Sequence, residues 1–167
     1  MSKQVKKKPP YEDTDVGVDR RRVMIDKLLQ DYGADDVTWQ TNYKLNQVKL
    51  GFRIEVEVNG VKRELAIQLE PAAFGKERKS WDPEKGYVMV FAPNWPQSMA
   101  LLYYWLKAKL EAISYGFNSA EKELMAHVLV SLPGGGTSTA GEVFAQTIAN
   151  GRLSLPEKKL EGRVIDG

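Results

Sequence analysis

The sequence predicts an α+β fold with an N-terminal helix, a three- to four-stranded antiparallel sheet and a helical C-terminal half. Two stretches carry apolar residues at three- and four-residue steps, the spacing of a buried helix face: residues 18–32 and 94–113. Between them, residues 48–69 alternate apolar and polar side chains on either side of Asn59-Gly60, which is typical of a β-hairpin. A chain of 167 residues with a hydrophobic fraction of 43% is long enough for one such domain.

The two ends of the chain are more polar than its middle. Residues 1–15 are rich in lysine and then in acidic residues, and we expect them to form a disordered arm. Residues 16–151 form the single predicted domain, and residues 152–167 a C-terminal tail. The chain contains no cysteine, which fits a reducing cytoplasm, and its longest apolar run is too short to span a membrane.

The first helix is predicted over residues 18–32, with Ile25 and Leu29 in its apolar stripe and Gly33 as its stop. Three consecutive arginines, Arg20–Arg22, fall in its first turn. The helix dipole disfavours positive charge at that end. We interpret them as an ordinary solvated face, and the alternative is a contact with phosphate or an acidic protein.

The central hairpin has a register that can be predicted from its turn. Asn59-Gly60 suits a two-residue type I′ turn, since both positions need positive φ. Counting back from the turn places Phe52 opposite Ile67 on the apolar face. On the polar face Glu55 opposes Glu64, a repulsive pair unless Arg53 bridges them. A shorter strand over residues 37–43 precedes the hairpin, and we expect the central helix to cover its apolar face.

Residues 72–86 are predicted to form a loop that carries Trp81 among basic residues. An aromatic ring beside cations is the arrangement that stacks a nucleic-acid base while contacting phosphates. The alternative is a loop that Trp81 pins to the body of the protein. Residues 87–91 are interpreted as a short strand or as the entry to the central helix.

Two capping boxes mark helix starts in the C-terminal half. Asn118 with Glu121 predicts a helix that runs to about Val130, and Thr139 with Glu142 predicts a second, shorter helix. The glycine-rich residues 133–136 between them form a loop. They are not followed by the Gly-Lys-Ser/Thr of a phosphate-binding loop.

The sequence contains few residues that could act in catalysis. His127 is the only histidine, and Glu123 precedes it by one helical turn, with Glu111 as a third candidate ligand for a divalent metal. The common hydrolase signatures are missing. The sequence therefore favours a non-enzymatic protein without a cofactor, and a metal-dependent enzyme built on these three residues is a third alternative.

Four segments of the second half of the chain form a recognisable pattern: Leu106-Lys107-Ala108-Lys109-Leu110-Glu111-Ala112, Gly116-Phe117, Glu121-Lys122-Glu123-Leu124-Met125-Ala126-His127-Val128 and Thr139-Ala140-Gly141-Glu142. This pattern resembles that of small uncharacterised proteins of phages, prophages and environmental viruses. The resemblance covers roughly residues 18–156 and includes the first helix and the hairpin. The arginine-rich segment of those proteins is replaced here by Pro93-Asn94-Trp95-Pro96. The resemblance implies a mobile-element origin and a location in the host cytoplasm, and it transfers no catalytic role.

The leading functional hypothesis is a phage accessory protein that binds DNA, RNA or the replication and recombination machinery. The formal net charge of +2 permits this function without requiring it. The candidate nucleic-acid-binding residues are Lys6, Lys7, Lys8, Arg20, Arg21, Arg22, Lys76, Arg78, Lys79, Trp81, Lys107 and Lys109. The alternative is an inhibitor or adaptor that binds a host protein through an exposed apolar patch including Trp95, Tyr103, Tyr104 or Trp105. The sequence indicates no oligomeric state and no membrane partner.

Overall fold

The computed structural model of the protein describes residues 9–153 and confirms the α+β fold. Helices and antiparallel strands follow one another along the chain, with a short 3₁₀ turn at Met125–His127. The elements are α1 (Val18–Asp31), β1 (Ala34–Asn42), β2 (Gln47–Val58), β3 (Val61–Leu69), β4 (Gly75–Asp82), β5 (Gly86–Pro93), α2 (Trp95–Ser114), α3 (Ala120–Leu124), β6 (Leu129–Ser131), β7 (Thr137–Thr139) and α4 (Ala140–Ala149).

The main sheet has three antiparallel strands in the order β1-β2-β3. Its central hairpin has the predicted register, with Phe52 opposite Ile67 and Glu55 opposite Glu64. The repulsion between the two glutamates is relieved as predicted, because the Arg53 guanidinium lies 2.8 Å from the Glu64 carboxylate. Glu55 is paired separately, with Lys62 at 2.7 Å.

The core lies between the apolar face of this sheet and helices α1 and α2. Asn94 caps α2 by accepting a hydrogen bond from the Gln97 backbone N–H, and Pro96 occupies the first turn, where the lack of an N–H costs nothing. The side chains that form the core share near-complete burial: Ile25, Leu29, Leu50, Phe52, Ile67, Leu69, Met99, Leu102, Leu106, Leu110 and Leu124. The predicted central helix is confirmed as the element that covers the sheet.

The loop prediction for residues 72–86 is wrong. Residues 75–82 form strand β4, which pairs with β5 over eight residue pairs as a second hairpin outside the main sheet. The hairpin turns at Asp82, whose carboxylate accepts hydrogen bonds from the backbone N–H groups of Glu84 and Lys85. The charges that suggested a loop lie along an exposed strand, where charged side chains carry little penalty.

The prediction that the helix after Asn118 reaches Val130 is also wrong. The helix ends at Leu124, and the chain continues through the 3₁₀ turn into β6, which pairs with β7. Its N-cap residue is Ser119 rather than Asn118, whose side-chain amide donates a hydrogen bond to Glu123. The second capping box is confirmed, because the Thr139 hydroxyl accepts from the Glu142 N–H and the Glu142 carboxylate accepts from the Thr139 N–H.

Candidate functional site on the β4–β5 hairpin

The β4–β5 hairpin exposes a row of apolar side chains on one face. Directly opposed residues of an antiparallel pair share a face, so the pairs Trp81–Tyr87, Lys79–Met89 and Glu77–Phe91 lie on the same side. We call these six residues the exposed hairpin face. Its four apolar members are exposed by 65% (Trp81), 75% (Tyr87), 55% (Met89) and 44% (Phe91). Such a contiguous row is typical of an interaction surface rather than of a core.

The aromatic residues concentrate at the tip of the hairpin. The rings of Trp81 and Tyr87 lie with their centroids 5.1 Å apart and their planes at 72°. Because the rings meet edge to face, they present differently oriented surfaces to solvent. The turn at Asp82 and Gly86, where Gly86 has a φ of 75°, holds the two strand ends together behind them.

The base of the hairpin is attached to α2. The Phe74 N–H donates to the Ser98 hydroxyl at 3.1 Å, and the Asn94 N–H donates to the Phe74 carbonyl. These bonds fix the point where the hairpin leaves the domain. On the opposite face Ser80, Val88 and Val90 are half-buried, whereas Arg78 is exposed.

The charges of the hairpin are mixed. Arg78, Lys79 and Lys85 form no ion pair with any residue in the described range 9–153, whereas Lys76 pairs with Glu12. Glu77, Asp82 and Glu84 nearly balance these cations. The hairpin therefore offers only moderate electrostatic attraction to an anion, and its exposed aromatic rings are its main apolar surface.

Two of the arginines predicted to bind nucleic acid instead contact aromatic rings of the protein itself. Arg21 is only 3% exposed, and its guanidinium lies 5.2 Å from the Tyr103 ring and 5.7 Å from the Tyr104 ring. Arg22 lies over the Trp39 ring at 5.2 Å and donates to the Thr41 hydroxyl at 3.1 Å. Cation–π contacts of this kind stabilise a partly desolvated cation. The structure therefore does not make Arg21 available to a phosphate, and of this triplet only Arg20 is exposed.

The lysines of α2 also form ion pairs within the protein. Lys107 lies 3.6 Å from Glu111 one turn later, and Lys109 pairs with Glu123. The Lys109 and Asn118 side chains donate hydrogen bonds to the Glu123 carboxylate and hold its pKa below the usual value. Lys107 and Lys109 are thus parts of local ion pairs and lie apart from the hairpin in the chain. Lys6, Lys7 and Lys8 lie outside the described residues.

The three candidate metal ligands do not form a site. Glu111 and Glu123 are paired with the lysines just described, and the His127 ring lies 5.3 Å from the Trp105 ring in an edge-to-face contact. Burial, with a smaller contribution from the Lys109 charge, lowers the pKa of His127. Over residues 9–153 no three histidine, aspartate or glutamate side chains are placed to hold a metal ion together.

The apolar patch expected on α2 is not continuous. Tyr104 stacks on Tyr11 at 4.8 Å, Trp105 contacts His127, and Tyr103 is partly buried against the core. Trp95 is half-buried beside Val18 and Met99. The hairpin side chains Tyr87, Met89 and Phe91, which the sequence interpretation did not assign to the site, are exposed by 75%, 55% and 44%, compared with 44% for Tyr104 and 37% for Trp105. The alternation of residues 87–91 was the signal that could have identified them.

Comparison of the chain with protein-family models, with curated proteins and with solved structures found no match. The resemblance to phage and prophage proteins therefore stays a prediction. Among the helices of the described part, none combines the length and the apolar character needed to cross a bilayer.

Proposed function

We propose that the protein binds single-stranded nucleic acid through the β4–β5 hairpin, as an accessory protein of a phage or related mobile element. The observation that carries this proposal is the pair of exposed rings at the hairpin tip, Trp81 and Tyr87, with Lys79 on the same face and Lys85 in the turn. Neither lysine forms an ion pair within residues 9–153. Non-specific binding of single strands uses this combination, in which rings stack on bases and cations contact the backbone.

The ring geometry favours single strands over duplexes. The planes of Trp81 and Tyr87 are 72° apart, so one base cannot lie parallel to both rings, and each ring has to stack on its own base. Bases inside a duplex are already stacked on their neighbours and offer no free face to a side chain. Unpaired bases can be turned toward the hairpin, which makes single-stranded DNA or RNA the better ligand.

The experiment is a titration of a fluorescently labelled oligothymidylate with the full chain. Base–aromatic stacking is worth about 1–3 kcal/mol per base, so Trp81→Ala is expected to weaken binding about 5- to 150-fold. Added salt should weaken the wild-type complex, because cations released from the nucleic acid accompany binding. Fluorescence anisotropy measures both effects.

Tyr43→Ala is the matched control. Tyr43 is an exposed aromatic residue in the β1–β2 turn, away from the hairpin in sequence and sheet. Its removal should leave the affinity unchanged. No binding by the wild-type chain at low salt, or equal losses for Trp81→Ala and Tyr43→Ala, would contradict the proposed function.

A second candidate is a protein partner that covers the same face. Met89 and Phe91 extend the aromatic pair toward the base of the hairpin, and neither has the charge that contacts a phosphate backbone. Under this alternative Met89→Ala weakens capture of one stoichiometric partner protein, while oligonucleotide affinity is low and insensitive to Trp81→Ala.

A further inference from the structure

The outer edge of strand β5 has no partner strand. β5 pairs with β4 along its whole length, and the two strands form a sheet of their own. Within residues 9–153 neither strand pairs with a further strand on its other side. Alternate backbone N–H and C=O groups along that side of β5 are therefore available to an added strand.

The two outer edges of the hairpin differ in charge. In β4, residues 76–79 are all charged. Glu12, in the segment that was predicted to be disordered, pairs with Lys76 at the base of this strand. β5 reads Gly-Tyr-Val-Met-Val-Phe-Ala-Pro and carries no charged residue. Charged side chains are a device by which natural edge strands prevent strand addition, so the edge of β5 is the open one.

The composition of β5 is that of a strand with neighbours on both sides. Val88 and Val90 alternate with Tyr87, Met89 and Phe91, and β-branched and aromatic residues are those enriched in sheets. A hairpin of two strands is marginally stable in water, whereas three or more strands with an apolar face can be stable on their own. An added strand would therefore stabilise this hairpin.

A second copy of β5 fits this edge in one symmetric register. Two-fold symmetry, the commonest in protein dimers, brings the two strands together antiparallel. Lys85 and Pro93 bound the uncharged stretch, and Pro93 has no N–H to donate to a ladder. The longest symmetric pairing between these limits is centred on Met89. It places Tyr87 of one copy opposite Phe91 of the other.

The side chains match in this register. Tyr87 and Phe91 form an aromatic pair across the two strands, Val88 lies opposite Val90, and Met89 lies opposite its own copy. Aromatic and β-branched pairs of this kind stabilise a sheet, and no charge is brought against another charge. The exposed hairpin faces of the two copies lie on the same side, because directly opposed residues of antiparallel strands share a face.

We propose that the chain forms a symmetric dimer in which two β5 strands pair edge to edge. The product is one four-stranded sheet in the order β4-β5-β5-β4. Its outer edges are the charged β4 strands, which limit further addition, so the assembly closes at two copies. The two Tyr87 residues are then about 14 Å apart along the strands, at about 3.4 Å per residue. Each copy thus contributes its Trp81–Tyr87 ring pair to one continuous surface.

The dimer is expected to be weak and dependent on concentration. Pairing along one short strand buries less surface than a standard protein interface, and we expect a dissociation constant on the order of 10 μM. At about 1 μM the chain is then mostly monomeric, and free energies of unfolding measured there contain little contribution from the dimer.

The test is sedimentation velocity of the full chain without nucleic acid, from about 1 to about 300 μM. The wild-type chain should pass from monomer to dimer over this range. Met89→Lys should weaken dimerisation at least about fivefold, because the two introduced cations face each other at the symmetry axis. Met89 is 55% exposed, so the folded monomer accommodates the change.

A charge-swap mixture tests the register. Met89→Glu alone should weaken dimerisation for the same reason as Met89→Lys. An equimolar mixture of the two variants should dimerise at least about fivefold more tightly than either alone, because unlike charges then face each other across the axis. Val23→Lys is the matched control, since Val23 is 67% exposed on α1 and outside the hairpin. It should dimerise like the wild type.

The outcomes separate this inference from the proposed function. A wild-type chain that stays monomeric up to about 300 μM, including one whose β5 pairs with an unrelated peptide instead, would overturn the dimer. A dimer that Met89→Lys leaves intact, or that the mixture does not restore, uses another surface and also overturns it. Oligothymidylate binding that depends on Trp81 in a monomeric chain retains the proposed function and removes only the dimer.

Discussion

The β2–β3 and β4–β5 hairpins pair over nine and eight residue pairs, and they differ in what covers them. The β2–β3 hairpin turns at Asn59-Gly60 and buries its apolar face in the core. The β4–β5 hairpin also places its larger apolar side chains on one face, but that face is exposed to solvent. An isolated two-stranded hairpin is marginally stable in water. The second hairpin therefore depends on its attachment to α2, and its exposed rings lie outside the buried core.

Replacing one phenylalanine in each hairpin gives the largest expected difference. Phe52 is 2% exposed and Phe91 is 44% exposed. Phe52→Ala opens a cavity in the core and should lower the free energy of unfolding by about 3–5 kcal/mol. Phe91→Ala should change it by about 0.5 kcal/mol or less, as is usual for surface positions. Urea denaturation of both variants measures this, and equal losses would show that the second hairpin is part of the core.

The turns of the two hairpins give a smaller difference. Gly60 and Gly86 have φ values of 76° and 75°. Alanine at such a position costs about 1–2 kcal/mol. The full cost of Gly60→Ala should appear in the free energy of unfolding. Gly86→Ala can lower the free energy of unfolding by no more than the β4–β5 hairpin contributes to it. The substitution should therefore mainly open the hairpin locally and speed hydrogen exchange in β4 and β5. A Gly86→Ala variant with slowed exchange there would contradict this.

The smallest expected effect concerns His127, which lies outside both hairpins in the 3₁₀ turn at Met125–His127. Its lowered pKa means that the folded chain binds a proton less readily than the unfolded chain. The free energy of unfolding should therefore decrease as the pH falls through about 6.5, the unfolded value, and level off below the folded pKa. NMR titration of this single histidine should give a midpoint below 6.5. A midpoint above 6.5 would indicate that His127 is neither desolvated nor close to Lys109.

The sequence predicted the covered hairpin well and the exposed one poorly, for a physical reason. Burial on one face imposes strict alternation, as between Leu50 and Val56, and the Asn59-Gly60 turn then determines the register. In β4 no residue is buried, so Lys76, Glu77 and Arg78 show no alternation and resemble a loop. The alternation of apolar and polar residues in β5 was visible in the sequence, but the sequence of β4 did not identify it as the partner strand.

The contacts of the cationic residues could be predicted from the sequence only in part. Arg53 was expected to bridge to Glu64, because register places them diagonally. The burial of Arg21 against Tyr103 and Tyr104 joins residues more than eighty positions apart, and no local pattern encodes it. The end of α3 at Leu124 likewise depends on pairing of β6 with β7, which competes successfully with local helix propensity.

The central claim is that the exposed hairpin binds single-stranded nucleic acid while the covered hairpin does not. The four tryptophans give four indole N–H signals in a nitrogen-edited NMR spectrum. Trp39 is an internal reference, since its indole donates to Asp26 at 2.9 Å. On addition of oligothymidylate we expect the Trp81 signal to shift in proportion to occupancy, with Trp39 unchanged. A saturating shift of the Trp39 signal with Trp81 unaffected, or no shift at all, would contradict the claim.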